Sequence, residues 1–449
     1  MITSMPTAAT TRRPSAHRGP IRDARLERIA EKVRRGQRLN LEDGMLLYET
    51  EDVWGVCELA HRVRMRMHGD TAYYNINRHL NYSNICALSC KFCEFYRKKG
   101  DEGAYTKTKE QIQNEAITGI NNGATEMHIV GGLHPYLPWD AYPQMLRDIH
   151  EVAPTLHLKA FTAVEIVHLA KIAKRYKKDD RKRGIRWVLS ELKKAGLGSL
   201  PGGGAEVFDD RVHDEAYKGK IRSDAWLDVH TVAHELGLNS NCTILYGHIE
   251  QRRERLVHMD MLRRAQDLAL ARLGYAPTRA RGEDEKTTEW DGDVDPEWTG
   301  EISLHGEGAV LPTPDAPNSG RGGYFQTIIP LPFFPDGSEL EHLPGPSGLE
   351  NLRTIAIARL MLDNFPHVKA FWIMQTLAMA QLMLQSGADD IDGTVVWYDI
   401  TKVGGSTTHQ EVTTWDLCKA IREAGFDPVE RDTLYREVVR NGTEWSVKG

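Results

Sequence analysis

The chain lacks an apolar run long enough to cross a bilayer. Its longest candidate, Val368 to Leu384, is broken by Lys369, Gln375 and Gln381, and predicts a strand followed by a core-facing helix. Residues 1–20, rich in Thr, Pro, Ala and Arg, lack an apolar h-region, which excludes a secretory signal and predicts a disordered tail. Neither sign of charge dominates. Lys and Arg number 57 against 63 Asp and Glu, a net of −6, so there is no general footprint for nucleic acid or an anionic membrane and a small-molecule substrate is expected. Cysteine is scarce, with six in 449 residues. Cys57, Cys242 and Cys418 stand singly, without the spacing of a disulfide framework, so they read as small buried hydrophobes in a reducing, cytoplasmic compartment.

The other three cysteines fall within eight residues, Cys86-Ala87-Leu88-Ser89-Cys90-Lys91-Phe92-Cys93. A C-x3-C-x2-C loop with no fourth thiolate nearby suits a 4Fe-4S cluster, because three ligands leave one iron open to an outside molecule. S-adenosyl-L-methionine would bind that iron. The competing reading is a structural zinc completed by His79, His128 or His134, which would make the chain a zinc-stabilised scaffold without catalysis. Structural zinc sites usually draw cysteine pairs from two separated knuckles, and this chain has no second pair.

After helical segments near 22–37 and 42–68, β-rich runs alternate with helical patterns, the signature of a parallel sheet. Eight strands are predicted, at Ala72–Arg78, Thr125–Val130, Leu156–Phe161, Leu197–Leu200, Asn239–Leu245, Tyr324–Ile329, Val368–Ile373 and Ile391–Val396. Eight strand–helix units predict an α/β fold of the (β/α)8 TIM-barrel type, with residues 21–70 as an N-terminal helical extension and 71–440 as the barrel. The cysteine loop then follows the first strand, on the rim where barrel active sites form. Gly131-Gly132-Leu133-His134-Pro135 and Pro201-Gly202-Gly203-Gly204-Ala205-Glu206 follow two later strands, and glycine lets backbone approach a ligand closely.

Two segments interrupt the pattern. Lys174 to Arg186 carries eight basic residues and two acidic ones and reads as a solvated surface. Residues 269–322 read as an insertion on the N-terminal face of the barrel, opposite the catalytic rim and therefore not a lid.

Other candidates are individual residues. Phe92, with Tyr96 nearby, could lie against an adenine. Glu165 and Glu206, just past the third and fourth strands, could accept hydrogen bonds from a ribose or an amino group. Arg222 and Arg353 could bind a substrate carboxylate. His230 and His234 share one face of a helix that Ser223 could cap; Thr231 stands where a zinc-protease helix needs Glu, leaving packing or substrate contact.

The run Asn75 to Cys86 and on through Cys93-Glu94-Phe95-Tyr96-Arg97 resembles the radical S-adenosylmethionine enzymes of the futalosine route to menaquinone, the aminofutalosine synthase family above all. The likeness continues through Gly131–Pro135, Pro201–Glu206, Leu245–His248, Ile329–Phe333 and Arg359–Pro366, covering most of residues 70–440. Residues 1–20, 175–186 and 269–322 depart from the family pattern, and the match loosens over Trp397–Thr408. The resemblance implies that Cys86, Cys90 and Cys93 hold a 4Fe-4S cluster. Phe92, Gly131, Gly132, Glu165 and Glu206 are the expected contacts to S-adenosylmethionine. That molecule would be a co-substrate, whose 5′-deoxyadenosyl radical adds to 3-[(1-carboxyvinyl)oxy]benzoate with loss of a carboxylate to give 6-amino-6-deoxyfutalosine. No side chain is expected as general base. Arg222, Arg353, His230 and His234 are candidates for the substrate's carboxylates, and a flavodoxin or ferredoxin is the expected electron donor. Sister enzymes, a dehypoxanthine futalosine cyclase or a deazaflavin-precursor synthase, share the loop and the barrel and differ in product.

Overall fold

The computed structural model describes residues 21–280, 298, 300–312, 322–394 and 411–448. The expectations for residues 1–20 and 397–408 lie outside them.

Three helices come first. In α1 (Leu26–Arg34) the apolar residues Leu26, Ile29 and Val33 recur at helical spacing and are all buried. Next, α2 (Leu41–Glu49) opens on a reciprocal capping box between Asn40 and Asp43, and α3 (Val53–His68) starts where the Asp52 side chain accepts the Gly55 N–H. The third helix packs against the helix Gly348–Met361.

The barrel begins with one run in two halves, β1 (Thr71–Asn75) and β2 (Asn77–Asn81). Then come β3 (Glu126–Val130), β4 (His157–Ala160), β5 (Leu197–Leu200), β6 (Asn239–Tyr246), a short antiparallel pair β7 (Arg279–Ala280) and β8 (Gly300–Glu301), and β9 (Phe325–Pro332). After β10 (His367–Val368) and β11 (Asp390–Gly393), β12 (Asp427–Glu430) and the hairpin β13 (Val438–Asn441) and β14 (Glu444–Val447) end the chain. A curled parallel sheet of seven strands runs β10-β9-β6-β5-β4-β3-β2. Its two ends meet through β1, which continues into β2 and pairs in parallel with β11, while a bridge between Lys369 and Asp390 ties β11 to the end of β10. Eight strand positions therefore close the ring, with β12 on the free edge of β1.

All eight residues of β6 are buried, as in a strand covered on both faces. The seventh strand is shorter than its apolar run suggests: only His367–Val368 pairs with β9, Lys369 adds its bridge to Asp390, and the helices Trp372–Gln375 and Leu377–Leu384 follow. Because β10 meets only Thr327 and Ile328, β9 is an edge beyond them, which lets Pro330 and Pro332 extend it without breaking a ladder. The helix Arg252–Arg272 continues past residue 269, and Ala269, Leu270 and Leu273 pack with Ile302, Leu304 and Tyr324. Asp267 ties this region to Arg38 at 2.7 Å, to the Trp298 indole N–H at 3.2 Å and to the Ile302 N–H at 3.0 Å.

Candidate active site

The cysteine loop leaves the C-terminal end of β2 and is held by backbone on both sides. Cys86 N–H donates to Arg97 O at 3.0 Å and Ala87 N–H to Leu133 O at 2.9 Å. Lys98 Nζ reaches under the loop to the carbonyls of Cys86 at 3.0 Å and Leu88 at 2.9 Å. The Cys86 sulfur accepts two amide N–H groups, from Leu88 and Leu133, each at 3.4 Å.

Glycine brings the second strand's loop against the first. A Cβ on Gly132 would lie 2.4 Å from the Ile85 carbonyl oxygen, and one on Gly202 would lie 2.4 Å from Cys242 Cα. Beside them, Glu165 sits in the first turn of the helix Ala163–Ile172 in a capping box with Thr162. Its carboxylate accepts from Thr162 N–H at 2.8 Å, Thr162 Oγ1 at 2.8 Å, Gly131 N–H at 3.1 Å and Tyr82 O–H at 2.9 Å. Burial nevertheless pushes its carboxyl up to about 7 against those four donors. Glu206 holds a left-handed backbone (φ 45°) and pairs with Lys220, whose ammonium lies 4.9 Å from the centre of the Phe92 ring.

These groups share one cavity of about 290 Å³ at the barrel mouth, lined by Cys86, Cys90, Cys93, Phe92, Gly131, Gly132, Glu165, Glu206 and Lys220 among others. The three thiols suit a cluster. They are free, and burial pushes Cys90 up to about 11 and raises Cys93, so a bound cation's charge would be what turns them to thiolates. Three sulfurs on a single zinc would stand about 3.8 Å apart, given Zn–S bonds of about 2.3 Å. Among the described residues, three ligand atoms within 4.8 Å of one another occur at His68, His367 and Asp389, which do not line this cavity.

Four residues expected at the substrate lie elsewhere. Arg222 sits on the surface at the cap position of the helix Ser223–Glu235, where Ser223 was expected, and pairs with Asp210 and Asp214. His230 and His234 face inward, but into packing: both bond Ser240 Oγ, at 2.9 and 2.8 Å, and they lie against Trp226 and Phe325. Arg353 donates to the carbonyls of Leu47, Tyr48 and Thr50 at 2.7–2.9 Å, closing the C-terminal end of α2. Helical spacing puts two histidines on one face; it does not say what that face meets.

Sequence reasoning missed the cavity floor. Lys159, Lys369, His128 and Asp392 line it, each carried inward by a strand or the residue just after one. Lys159 Nζ lies 2.5 Å from Glu126 Oε1, and Lys369 Nζ donates to Asp392 Oδ1 at 2.7 Å. His128 meets His79 edge-on at 4.6 Å, and burial draws both far below the usual histidine range, His79 to about 4. A polar residue in the middle of an apolar strand was the signal available.

The model of the radical SAM superfamily matches residues 80–262, and that of the CofH/MqnC C-terminal region matches residues 322–442. The chain is 39% identical to an aminodeoxyfutalosine synthase of Thermus thermophilus, over 93% of this chain and 97% of that one. It is 39% identical to one of Streptomyces coelicolor, over 93% and 95%. A 5-amino-6-(D-ribitylamino)uracil–L-tyrosine 4-hydroxyphenyl transferase of Methanopyrus kandleri is 31% identical over 86% and 90%. Among solved structures, methylornithine synthase superposes with a TM-score of 0.62 at 14% identity, covering 89% of this chain and 97% of that one, a likeness of fold alone.

Proposed function

The chain belongs to the radical S-adenosylmethionine superfamily, in the family of the aminodeoxyfutalosine synthases, and from that premise we propose that it joins the 5′-deoxyadenosyl group of S-adenosylmethionine to 3-[(1-carboxyvinyl)oxy]benzoate with loss of a carboxylate, giving 6-amino-6-deoxyfutalosine for menaquinone synthesis. It is an enzyme that uses a 4Fe-4S cluster and S-adenosylmethionine. The observation that carries the reading is the convergence of three thiols, two glycine loops and Glu165 on one cavity at the barrel mouth.

Cys86, Cys90 and Cys93 would hold the cluster, which when bound supplies the electron that splits S-adenosylmethionine to methionine and a primary carbon radical. Everything else falls to the chain. Gly131 and Gly132 let the co-substrate lie close to the backbone, and Glu165 fixes that loop by accepting the Gly131 N–H at 3.1 Å. Phe92 presents an aromatic face at the same rim, steadied by the Lys220–Glu206 pair. Such a radical abstracts hydrogen from most neighbours, so the enclosed cavity must hold the substrate in attacking position and exclude water. No proton transfer by a side chain is required.

No described helix is long and apolar enough to cross a membrane. We place the enzyme in the cytoplasm, with a flavodoxin or ferredoxin as donor and residues 269–322 away from the catalytic rim.

The test is an anaerobic assay of the reconstituted protein with reductant, S-adenosylmethionine and the enol ether, followed by mass. An adenosyl adduct lacking one carboxylate, formed with methionine and dependent on the enol ether, is expected. Release of 5′-deoxyadenosine alone would instead favour the hydrogen-abstracting sister enzymes, some of whose relatives stand at 30–31% identity.

A further inference from the structure

The cavity is apolar along its walls and charged at its base. Leu245, Ile329, Leu331, Phe333, Phe371 and Met374 line the sides. At the base stand two lysines that are almost wholly enclosed, Lys159 at 5% exposure and Lys369 at 2%. An ammonium has three N–H donors. Lys159 is ion-paired with Glu126 and Lys369 donates one N–H to Asp392, and the described residues provide no other partner for either. The buried Nε2 of His128, on the same floor, also has none. Burying donors this deep without acceptors is costly, and a protein keeps such groups where a ligand completes them.

We propose that Lys159 and Lys369, with His128, form a carboxylate anchor at the floor of the cavity, specific for the ring carboxylate of an aryl substrate. This rests on the reaction proposed above and names the residues that orient its substrate. The enol double bond must lie at the mouth, where the cysteine loop and Glu165 receive the co-substrate. The benzoate group sits meta to the ether, at the far end of the same molecule, and so faces the floor. The flat ring between them is apolar, like the walls. Two ammonium groups from different strands, Lys159 on β4 and Lys369 just beyond β10, can each donate to one carboxylate oxygen and fix its direction as well as its depth. Asp392 on the same floor and Glu126 against Lys159 keep the free cavity electrically balanced, so the anchor selects by directed N–H donors rather than by net charge.

The experiment measures calorimetric binding of 3-methoxybenzoate and of its neutral counterpart 3-methoxybenzamide to the reconstituted full chain. Wild type should prefer the benzoate by about tenfold or more, as for a buried charge-assisted contact. Lys369→Met strands Asp392, so the paired variant Lys369→Met/Asp392→Asn is made with it, along with Lys159→Met/Glu126→Gln. Each should lose most of that preference while binding S-adenosylmethionine as before. Equal binding of the two probes by wild type, no binding of the benzoate, or a preference that survives both paired variants would overturn the anchor. Product mass separates the two levels. An adduct formed without any benzoate preference ends the anchor alone, whereas a preference without the adduct ends the proposed reaction and leaves the anchor standing.

Discussion

Glu165 shows how burial and hydrogen bonding compete at one residue. Four donors favour its ionised form, yet its enclosed position outweighs them and sets the carboxyl near 7 rather than the ordinary 4.5. Between those values the folded chain holds a proton that the unfolded chain has lost. This contribution to stability is therefore fully present below about 4.5 and is lost as pH rises through 7. We expect urea denaturation at pH 5 and pH 8 to show Glu165→Gln losing less stability than wild type across that window, by on the order of 2–3 kcal/mol. Parallel losses in both proteins would mean that Glu165 titrates normally. Gly132 is a steric case, because an added Cβ would press on the Ile85 carbonyl and on Cys86 Cβ at 3.1 Å. Gly132→Ala should fold yet take up severalfold less iron on reconstitution, and full iron content would show that the two loops can separate freely. The cysteines were legible in the sequence because their meaning is local, eight residues with one spacing. The lysines of the floor were not. A lone Lys in a strand looks the same whether it points outward to water or inward to a cavity, and only the register that sets Lys159 beside His128 decides it.

At the scale of elements, periodicity carried most of what could be read. The strands predicted at 125–130, 197–200 and 239–245 fall on β3, β5 and β6, because short runs with apolar residues between turn signals have few other ways to be buried. Where the pattern misled, partners decided: Val368–Ile373 is apolar but for Lys369, yet the Trp372 indole N–H bonds Gly393 O at 2.8 Å and the chain turns into a helix there. The one cap read from the sequence, Ser223, proves to be the first residue of its helix, whereas a cap that went unread supports the site. Thr162 opens the helix Ala163–Ile172 and bonds both ways with Glu165, so the start of that helix and the position of its carboxylate are one structure. Thr162→Ala should cost about 1 kcal/mol of stability. It should also weaken S-adenosylmethionine binding, measured by calorimetry, and Thr162→Ser should restore both. Weakened folding with unchanged binding would separate the cap from the site.

For the whole molecule the question is what closes the ring, since β10 is two residues long and contributes little ladder of its own. Closure comes from the chain's far end. Past β12, Arg431 is buried with its Nε 2.6 Å from Asp390 on β11, and Tyr435 packs against the guanidinium at 4.3 Å from its ring centre. Asp390 in turn holds the Asp392 N–H at 2.6 Å, and Asp392 takes Lys369, so one line of contacts runs from the C-terminal segment to the cavity floor. Nothing local in the sequence announces a pairing across 41 residues, which is why β12 and its hairpin went unread while the eight strand positions did not. Burial raises the Asp390 carboxyl's pKa, but Arg431 and Lys369 outweigh it and hold the group below the ordinary range. Its stabilisation is thus present above the unfolded carboxyl's pKa and is lost as acid protonates it in the folded state. Removing one partner leaves the other charged and buried, so Arg431→Met should destabilise the chain by about 3–5 kcal/mol in denaturant unfolding near neutral pH. Arg431→Met/Asp390→Asn should recover a large part of that loss, since no stranded charge remains. If the single and double variants unfold alike, the loss comes from Arg431's other contacts and not from a stranded charge; recovery in the double variant shows that the two charges balance one another and that the backbone ladder of β1 with β11 and β12 closes the ring without them.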